Sequence, residues 1–236
     1  MNEALVCIPT YNEKENIEKI TDAVLQEFKD GDILIIDDNS PDGTGKIADS
    51  LALKNTRVQV LHRKNKEGLG PAYIAAFTFA LEHNYKYIIE FDADFSHNPV
   101  YLPQMFNLLK NGADVVVGSR RIKNGGVENW SLLRKAISAG GSIYAGLVLG
   151  IPVKDLTGGF NGFKSEALRA IHYAGISAAG YIFQVEIKYR CHRQGLTIQE
   201  MPIIFPDRVS GKSKMSGSIF KEAFLGVLKL RFSKKQ

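Results

Sequence analysis

The sequence predicts an α/β, Rossmann-like fold with a mostly parallel central sheet flanked by helices. Short, β-branched apolar runs recur at residues 4–8, 33–36, 58–61, 87–91 and 115–117, as buried parallel strands do. Helical patterns at 15–28, 71–82 and 102–109 separate most of them, giving repeated βα units. Polar residues gather just after these runs, and open sheets of this kind bind ligands beyond the carboxyl ends of their strands.

Taken in order, the first run ends in Pro9-Thr10-Tyr11-Asn12-Glu13, so a buried strand delivers Tyr11 and Glu13 to the ligand edge. Tyr11 can stack on a base; either residue can equally form a plain hydrogen-bonded closure of the helix starting near Glu15. The second run delivers Asp37-Asp38, then Asn39-Ser40-Pro41-Asp42-Gly43-Thr44. Asp42, Gly43 and Thr44 have the residue types of a tight turn leading into a helix, and Asp38 can accept hydrogen bonds from ribose hydroxyls or a base. Gly68-Leu69-Gly70 reads as the start of the helix at 71–82. The fourth run delivers Asp92-Ala93-Asp94, and strand alternation puts both carboxylates on one side. Such a pair repels unless a cation neutralises it, and a hard divalent ion, Mg²⁺ or Mn²⁺, would also grip diphosphate oxygens. A solvated strand-end turn is the competing reading. Ser96 and His97 can contact metal-bound water or phosphate, or simply shape the turn before Pro99.

The second half is less regular: a helix at 132–149, a short strand at 160–163, a helix at 184–193 and an extended run at 197–205. Residues 218–232 place Phe220, Phe224, Val227 and Leu228 on one helical face, with Lys221, Lys229, Arg231, Lys234 and Lys235 nearby, a basic amphipathic helix. Residues 1–217 thus read as a single domain and 218–236 as an appended helix. Cations cluster at Arg120-Arg121, Arg134-Lys135 and at Arg208, Lys212 and Lys214 around Gly211. Arginine's planar fork suits phosphate oxygens; Arg121, Lys135 and Lys212 also read as a solvated basic face. Residues 207–214 have the Gly, Ser and Lys content of a phosphate-binding lid.

Composition narrows the classes. The 236 residues are 44% hydrophobic, ordinary for an ordered domain, and the formal charge of +5 suits an acidic partner. Nucleic acid is disfavoured because the basic residues follow neither one helix nor an aromatic platform. Cys7 and Cys191 form no spaced pair, so a disulfide framework or structural zinc is not expected and a reducing, cytoplasmic setting is. The N-terminus lacks the basic start and longer apolar core of a signal peptide. The uncharged stretch 136–153 falls short of the ~20 apolar residues that span a bilayer. Neither a Gly-x-Gly-x-x-Gly after the first strand nor a Walker lysine motif is present, which argues against dinucleotide oxidoreductases and ATPases.

Together with Lys-Glu-Gly-Leu-Gly-Pro-Ala-Tyr, Asp-Ala-Asp-Phe-Ser-His-Asn-Pro, Asn-Gly-Gly-Val-Glu-Asn-Trp-Ser-Leu-Leu-Arg, Asp-Leu-Thr-Gly-Gly-Phe, Gly-Tyr-Ile-Phe-Gln-Val-Glu and Asp-Arg-Val-Ser-Gly-Lys-Ser-Lys, these segments resemble the dolichyl-phosphate mannose synthases over residues 9–214. Those are inverting family-two glycosyltransferases of the nucleotide-diphospho-sugar transferase (GT-A) fold. The resemblance implies that Pro9, Tyr11, Glu13, Ile36 and Asp38 hold the guanosine of GDP-mannose. It implies that Asp92, Ala93 and Asp94 serve the diphosphate and metal, and that Arg208 and Lys214 close over the diphosphate. Arg120, Arg134 and Ser138 match positions that receive or orient the acceptor phosphate of a polyprenyl lipid. It implies a catalytic domain held peripherally at the cytoplasmic face of a membrane by the terminal amphipathic helix or by a small membrane subunit. Arg121 stands where the family commonly has an aromatic residue, and Asn161 where it often has a basic one. Polyprenyl-phosphate glucose synthesis, or transfer to another acceptor, therefore stays open, as does a non-catalytic nucleotide-sugar binder.

Overall fold

The computed structural model describes residues 2–176, 180–206 and 217–232. In chain order the elements are β1 (Ala4–Thr10), α1 (Ile17–Glu27), β2 (Gly31–Asp37), α2 (Thr44–Lys54), β3 (Val58–His62), α3 (Leu69–Glu82), β4 (Tyr87–Glu90), α4 (Leu102–Lys110) and β5 (Val115–Ser119). The second half adds β6 (Gly126–Val127), α5 (Leu132–Leu149), β7 (Asn161–Lys164), α6 (Ser165–Ala170), α7 (Gly180–Arg193), β8 (Ile198–Pro202), β9 (Ile204–Phe205) and α8 (Gly217–Phe232).

Seven strands form one sheet in the order β3-β2-β1-β4-β7-β5-β8, with only β7 antiparallel to its neighbours; β6 and β9 form a separate parallel pair. The extended run expected at 197–205 is thus two strands serving two sheets. Alternation along each strand supplies both faces. On β1, Leu5 and Cys7 pack with Tyr73, Phe77 and the side chains of α3, α5 and α7, whereas Val6 and Ile8 pack with Ile17, Ile20 and Val24 of α1. Each large side chain removed from water in this way contributes about 2 kcal/mol. Both cysteines are buried and unbridged, and burial pushes the Cys191 thiol up to about 12.

Local chemistry sets the loops at the ligand edge. Asp42 Oδ1 accepts from the Thr44 N–H at 3.0 Å and the Thr44 hydroxyl at 2.6 Å, and Gly43 takes φ +96°, so this turn starts α2 as its residue types predict. Ser131 caps α5 by accepting from the Arg134 N–H at 3.3 Å. Gly150, at φ +70°, ends α5. The terminal helix α8 is docked on α5 and α7: Val227 joins the core, and Phe224 stacks on Tyr144 with ring centroids 4.6 Å apart. Among the described residues no helix is long and apolar enough to cross a membrane.

Candidate active site

The carboxyl ends of β1, β2, β4 and β5 bring three groups of side chains to one edge. The first group lies at β1 and β2. Asp37 is spent internally: its carboxylate accepts from the Ser40 hydroxyl at 2.6 Å and the Ser40 N–H at 3.2 Å. Asp38 is buried and pairs with Arg63 Nη1 at 2.8 Å. Burial raises its pKa against the pull of that guanidinium. Arg63, past the end of β3, carried no sequence signal of its own. Lys66 Nζ sits 3.7 Å from the centroid of the Tyr11 ring. The Glu13 carboxylate accepts from Asn16 Nδ2 at 2.9 Å, and its backbone carbonyl takes the Asn16 and Ile17 N–H groups, the plain helix closure weighed above. Pro9 is partly exposed beside this group, while Ile36 is wholly buried, its side chain in the core.

The second group is the acidic turn, and here one expectation is corrected. Asp92 and Asp94 lie beyond β4, which ends at Glu90, so the pleat of a strand does not align them. Specific partners orient the turn instead. The Asp92 N–H donates to His97 Nδ1 at 3.0 Å; the ring proton is then on Nε2, 3.6 Å from the Asp92 carboxylate. His97 is buried, stacked 5.0 Å from Phe160. Asp94 Oδ1 accepts from the Ser96 N–H at 3.0 Å, a closure that Phe95 allows by adopting φ +61°. Ala93 is buried between them. Two partly exposed carboxylates fit a hard divalent ion that takes its remaining ligands from diphosphate and water. Among the described residues no cluster of three His, Cys, Asp or Glu side chains supplies an all-protein metal cage.

The third group is basic. Arg120 makes a bidentate pair with Asp155, Nε to Oδ2 and Nη2 to Oδ1 both at 2.7 Å, with both side chains nearly inaccessible. Its guanidinium also lies 5.7 Å from the Trp130 ring and 5.3 Å from the Phe205 ring. Arg120 is therefore already spoken for. Arg121, for which the sequence also allows a solvated face, turns inward: Nη2 donates to Ser138 Oγ at 2.8 Å, Nε is buried with no hydrogen-bond partner among the described residues, and burial lowers its pKa. Arg134 stacks 3.8 Å from the Trp130 ring. Aromatic contacts join this group to the acidic turn, since Phe205 lies 5.6 Å from Trp130 and 5.6 Å from His97. Arg208 and Lys214 lie outside the described residues, as does the lid expected at 207–214.

Beneath the acidic turn lies a polar cluster that sequence reasoning missed. Asn161 Nδ2 donates to Glu90 Oε2 at 2.6 Å and to Gln184 Oε1 at 2.7 Å; the fully buried Lys188 donates to the Gly158 carbonyl at 2.7 Å. Burial raises the pKa of Glu90 and lowers that of Lys188, each opposed by the other's charge. A lysine on a helix rich in apolar neighbours reads as surface; only tertiary packing buries it.

Two partly exposed carboxylates, a buried acid and three arginines thus meet at one edge of a mostly parallel sheet, where open α/β sheets take their ligands. The chain belongs to glycosyl transferase family 2, whose family model matches residues 5–171. It is 44% identical over 223 residues to the undecaprenyl-phosphate mannosyltransferase of Micrococcus luteus, spanning 94% of this chain and 91% of the relative. It is 41% identical over 224 residues to the polyprenol monophosphomannose synthase of Mycolicibacterium smegmatis, spanning 94% and 84%. The fold is also that of glucosyl-3-phosphoglycerate synthase from Mycobacterium tuberculosis. A complex of that enzyme with Mn²⁺, UDP and glucosyl-3-phosphoglycerate aligns with TM-score 0.70 at 17% identity, over 98% of this chain and 80% of the other. Its complex with phosphoglyceric acid aligns with TM-score 0.73 at 17% identity, over 100% and 82%. The central architecture is thereby GT-A.

Proposed function

We propose that this chain is an inverting mannosyltransferase that moves mannose from GDP-mannose to a polyprenyl phosphate, releasing GDP. The observation that carries the reading is the 44% and 41% identity, over 94% of the chain, to two relatives that are both polyprenyl-phosphate mannose enzymes. Pro9, Tyr11, Glu13, Ile36 and Asp38 form the nucleoside side, with Arg63 sharing Asp38. Asp92 and Asp94 would hold Mg²⁺ or Mn²⁺ beside Ala93, an ion that would supply positive charge for the departing diphosphate. Arg208 and Lys214 complete the diphosphate side.

On the acceptor side, Arg121, Ser138 and Arg134 receive the lipid phosphate. Arg120 supports them from its pair with Asp155. The phosphate oxygen attacks the anomeric carbon as the bond to the diphosphate oxygen breaks, inverting the sugar. A phosphate monoester, with a second pKa near ~6, is already largely ionised at neutral pH, so no general base is required. The arginines offset repulsion between the two phosphorylated substrates.

Peripheral docking on the cytoplasmic face of a membrane, alone or with a small membrane subunit, fits the surface of α5 and α8. Leu132, Leu133 and Leu147 are 83%, 71% and 81% exposed on α5, and Phe232 is 80% exposed on α8 beside Lys229 and Arg231. The test is transfer of labelled sugar from GDP-mannose to detergent-solubilised polyprenyl phosphate, with and without divalent metal. Metal-dependent, acid-labile lipid-phosphate mannose is expected. Preference for GDP-glucose or UDP-glucose would overturn the mannose assignment, and nucleotide-sugar binding without any turnover would overturn the enzyme reading.

A further inference from the structure

The buried cluster behind the acidic turn holds a donor, Gln184 Nε2, that meets no partner in hydrogen-bond geometry among the described residues, although it lies near enough to the Glu90 carboxyl to help hold down its pKa. The two hydrogens of the Asn161 amide go to Glu90 Oε2 at 2.6 Å and Gln184 Oε1 at 2.7 Å, with the Gly158 carbonyl a more distant 3.3 Å away. This relay has a direction. A carboxylate accepts, so Asn161 donates toward Glu90, and Gln184 must then turn its carbonyl oxygen to Asn161 and its Nε2 away. Gln184 is 2% exposed, and its Nε2 has no hydrogen-bond partner among the described residues. Buried amide donors are nearly always satisfied, because an unsatisfied one carries its full desolvation cost.

That donor faces Gly159. A Cβ built on Gly159 would lie 3.8 Å from Gln184 Nε2 and 3.9 Å from His97 Cε1, and Gly159 itself is partly exposed. His97 in turn holds Asp92. The absent side chain leaves a small niche next to the acidic turn, with an amide donor on one wall and an imidazole edge on another. A neutral donor in a niche of side-chain size suits a hydroxyl. An uncharged amide donor suits a neutral hydroxyl better than a phosphate, which charged donors hold more strongly.

We propose that Gln184 reads the transferred sugar: its Nε2 donates to a hydroxyl of the hexose carried on the nucleotide diphosphate, with Asn161 and Glu90 as positioning residues that aim it. This rests on the nucleotide-sugar donor proposed above. The test compares wild type, Gln184→Leu and Gly159→Ala in the full chain with Mn²⁺. It measures GDP binding by calorimetry and transfer kinetics with GDP-mannose, GDP-glucose, UDP-glucose and analogues of the working donor that each lack one hydroxyl. In Gln184→Leu, GDP affinity stays within about twofold while kcat/KM falls roughly tenfold, and the one deoxy analogue penalised by wild type is no longer penalised. Gly159→Ala, whose new methyl meets only ordinary contacts, keeps the wild-type melting temperature and GDP affinity but also loses discrimination of that analogue. If both variants discriminate the analogues as wild type does, the proposal is overturned. A wild type that uses a nucleotide hexose other than GDP-mannose overturns only the mannose reading, and the same comparison then decides Gln184. A wild type that turns over none of them overturns both.

Discussion

Asp155→Asn isolates the group that holds Arg120. The Asp155 carboxylate accepts from Arg120 Nε and Nη2 at 2.7 Å each, from the Arg120 N–H at 3.0 Å and from the Gly158 N–H at 3.1 Å, and it is wholly buried. The near-isosteric amide keeps the shape and part of the hydrogen bonding but leaves a guanidinium that is 8% exposed without a counter-charge. Breaking a buried pair by removing one partner costs about 3–5 kcal/mol, and the retained bonds put the expected loss at the lower end, about 3 kcal/mol. For a chain of this size each 1 kcal/mol moves Tm by about 2–4 °C, so the variant should melt roughly 6–12 °C lower. Burial alone would raise the pKa of Asp155, but the hydrogen bonds and charge of Arg120 outweigh it and leave the value below the ordinary 3.8. Stability from a depressed carboxyl is present above its unfolded value and lost as pH falls through the folded one. The gap between wild type and variant in urea titrations should thus be constant from about pH 5 to 8 and close only below about pH 4. A loss under about 1 kcal/mol at pH 7, or a gap that closes near neutrality, would refute the account of Arg120 as a locked residue.

Asp94→Ala should lower transfer at least a hundredfold, far more than the loss of one hydrogen bond from this partly exposed carboxylate to the Ser96 N–H lowers stability. Stripping divalent ions with EDTA should abolish transfer, and either Mg²⁺ or Mn²⁺ should restore it; full activity in EDTA would exclude a metal role for the two aspartates. Gly125→Ala should destabilise by about 1–3 kcal/mol, since the added Cβ would lie 2.4 Å from the Ser119 carbonyl oxygen and only backbone movement relieves that contact. Calorimetry showing an unchanged Tm would contradict the close approach. Replacing Leu132 and Leu147 together by Asp should weaken sedimentation with anionic liposomes roughly a hundredfold, at about 1.5 kcal/mol per buried leucine, with a water-soluble short-chain acceptor still used. Undiminished sedimentation would move the membrane contact away from α5.

The central parallel strands were legible because they are short apolar runs buried on both faces, as along Ile33 to Ile36, while β3 and β8 at the sheet edges are only partly buried; the helix at 132–149 was bounded by a serine cap and a left-handed glycine. The turn at Asp42 was legible for the same reason: local residue types suffice to specify it. What escaped the sequence was long-range. The strand Asn161–Lys164 inserts antiparallel between β4 and β5, a pairing that no local pattern announces. Asp92 and Asp94 stand out in the sequence, but local contacts with His97 and Ser96, five and two residues further on, orient them in place of strand alternation. Lys188 and Glu90 were invisible for a third reason. A buried charge has the same one-letter symbol as a solvated one, and only the packing of α7 against the sheet distinguishes them.

The same limit applies to the two neighbouring arginines, whose surroundings the sequence does not show. Sequence assigned the phosphate to Arg120 and allowed Arg121 a solvated face. The structure neutralises Arg120 with Asp155, so a phosphate approaching it meets a pair whose charges cancel. Arg121 donates to the neutral Ser138, has a buried Nε with no hydrogen-bond partner among the described residues, and bears a burial cost that lowers its pKa. A cation that is costly to bury is one whose free energy falls most when an anion arrives. On this geometry an acceptor phosphate is expected to gain more from Arg121 than from Arg120. Arg121→Met should raise the acceptor KM more than it changes GDP affinity, whereas Arg120→Met should act chiefly on stability by leaving Asp155 unpaired. Kinetics showing the reverse split would return the phosphate to Arg120.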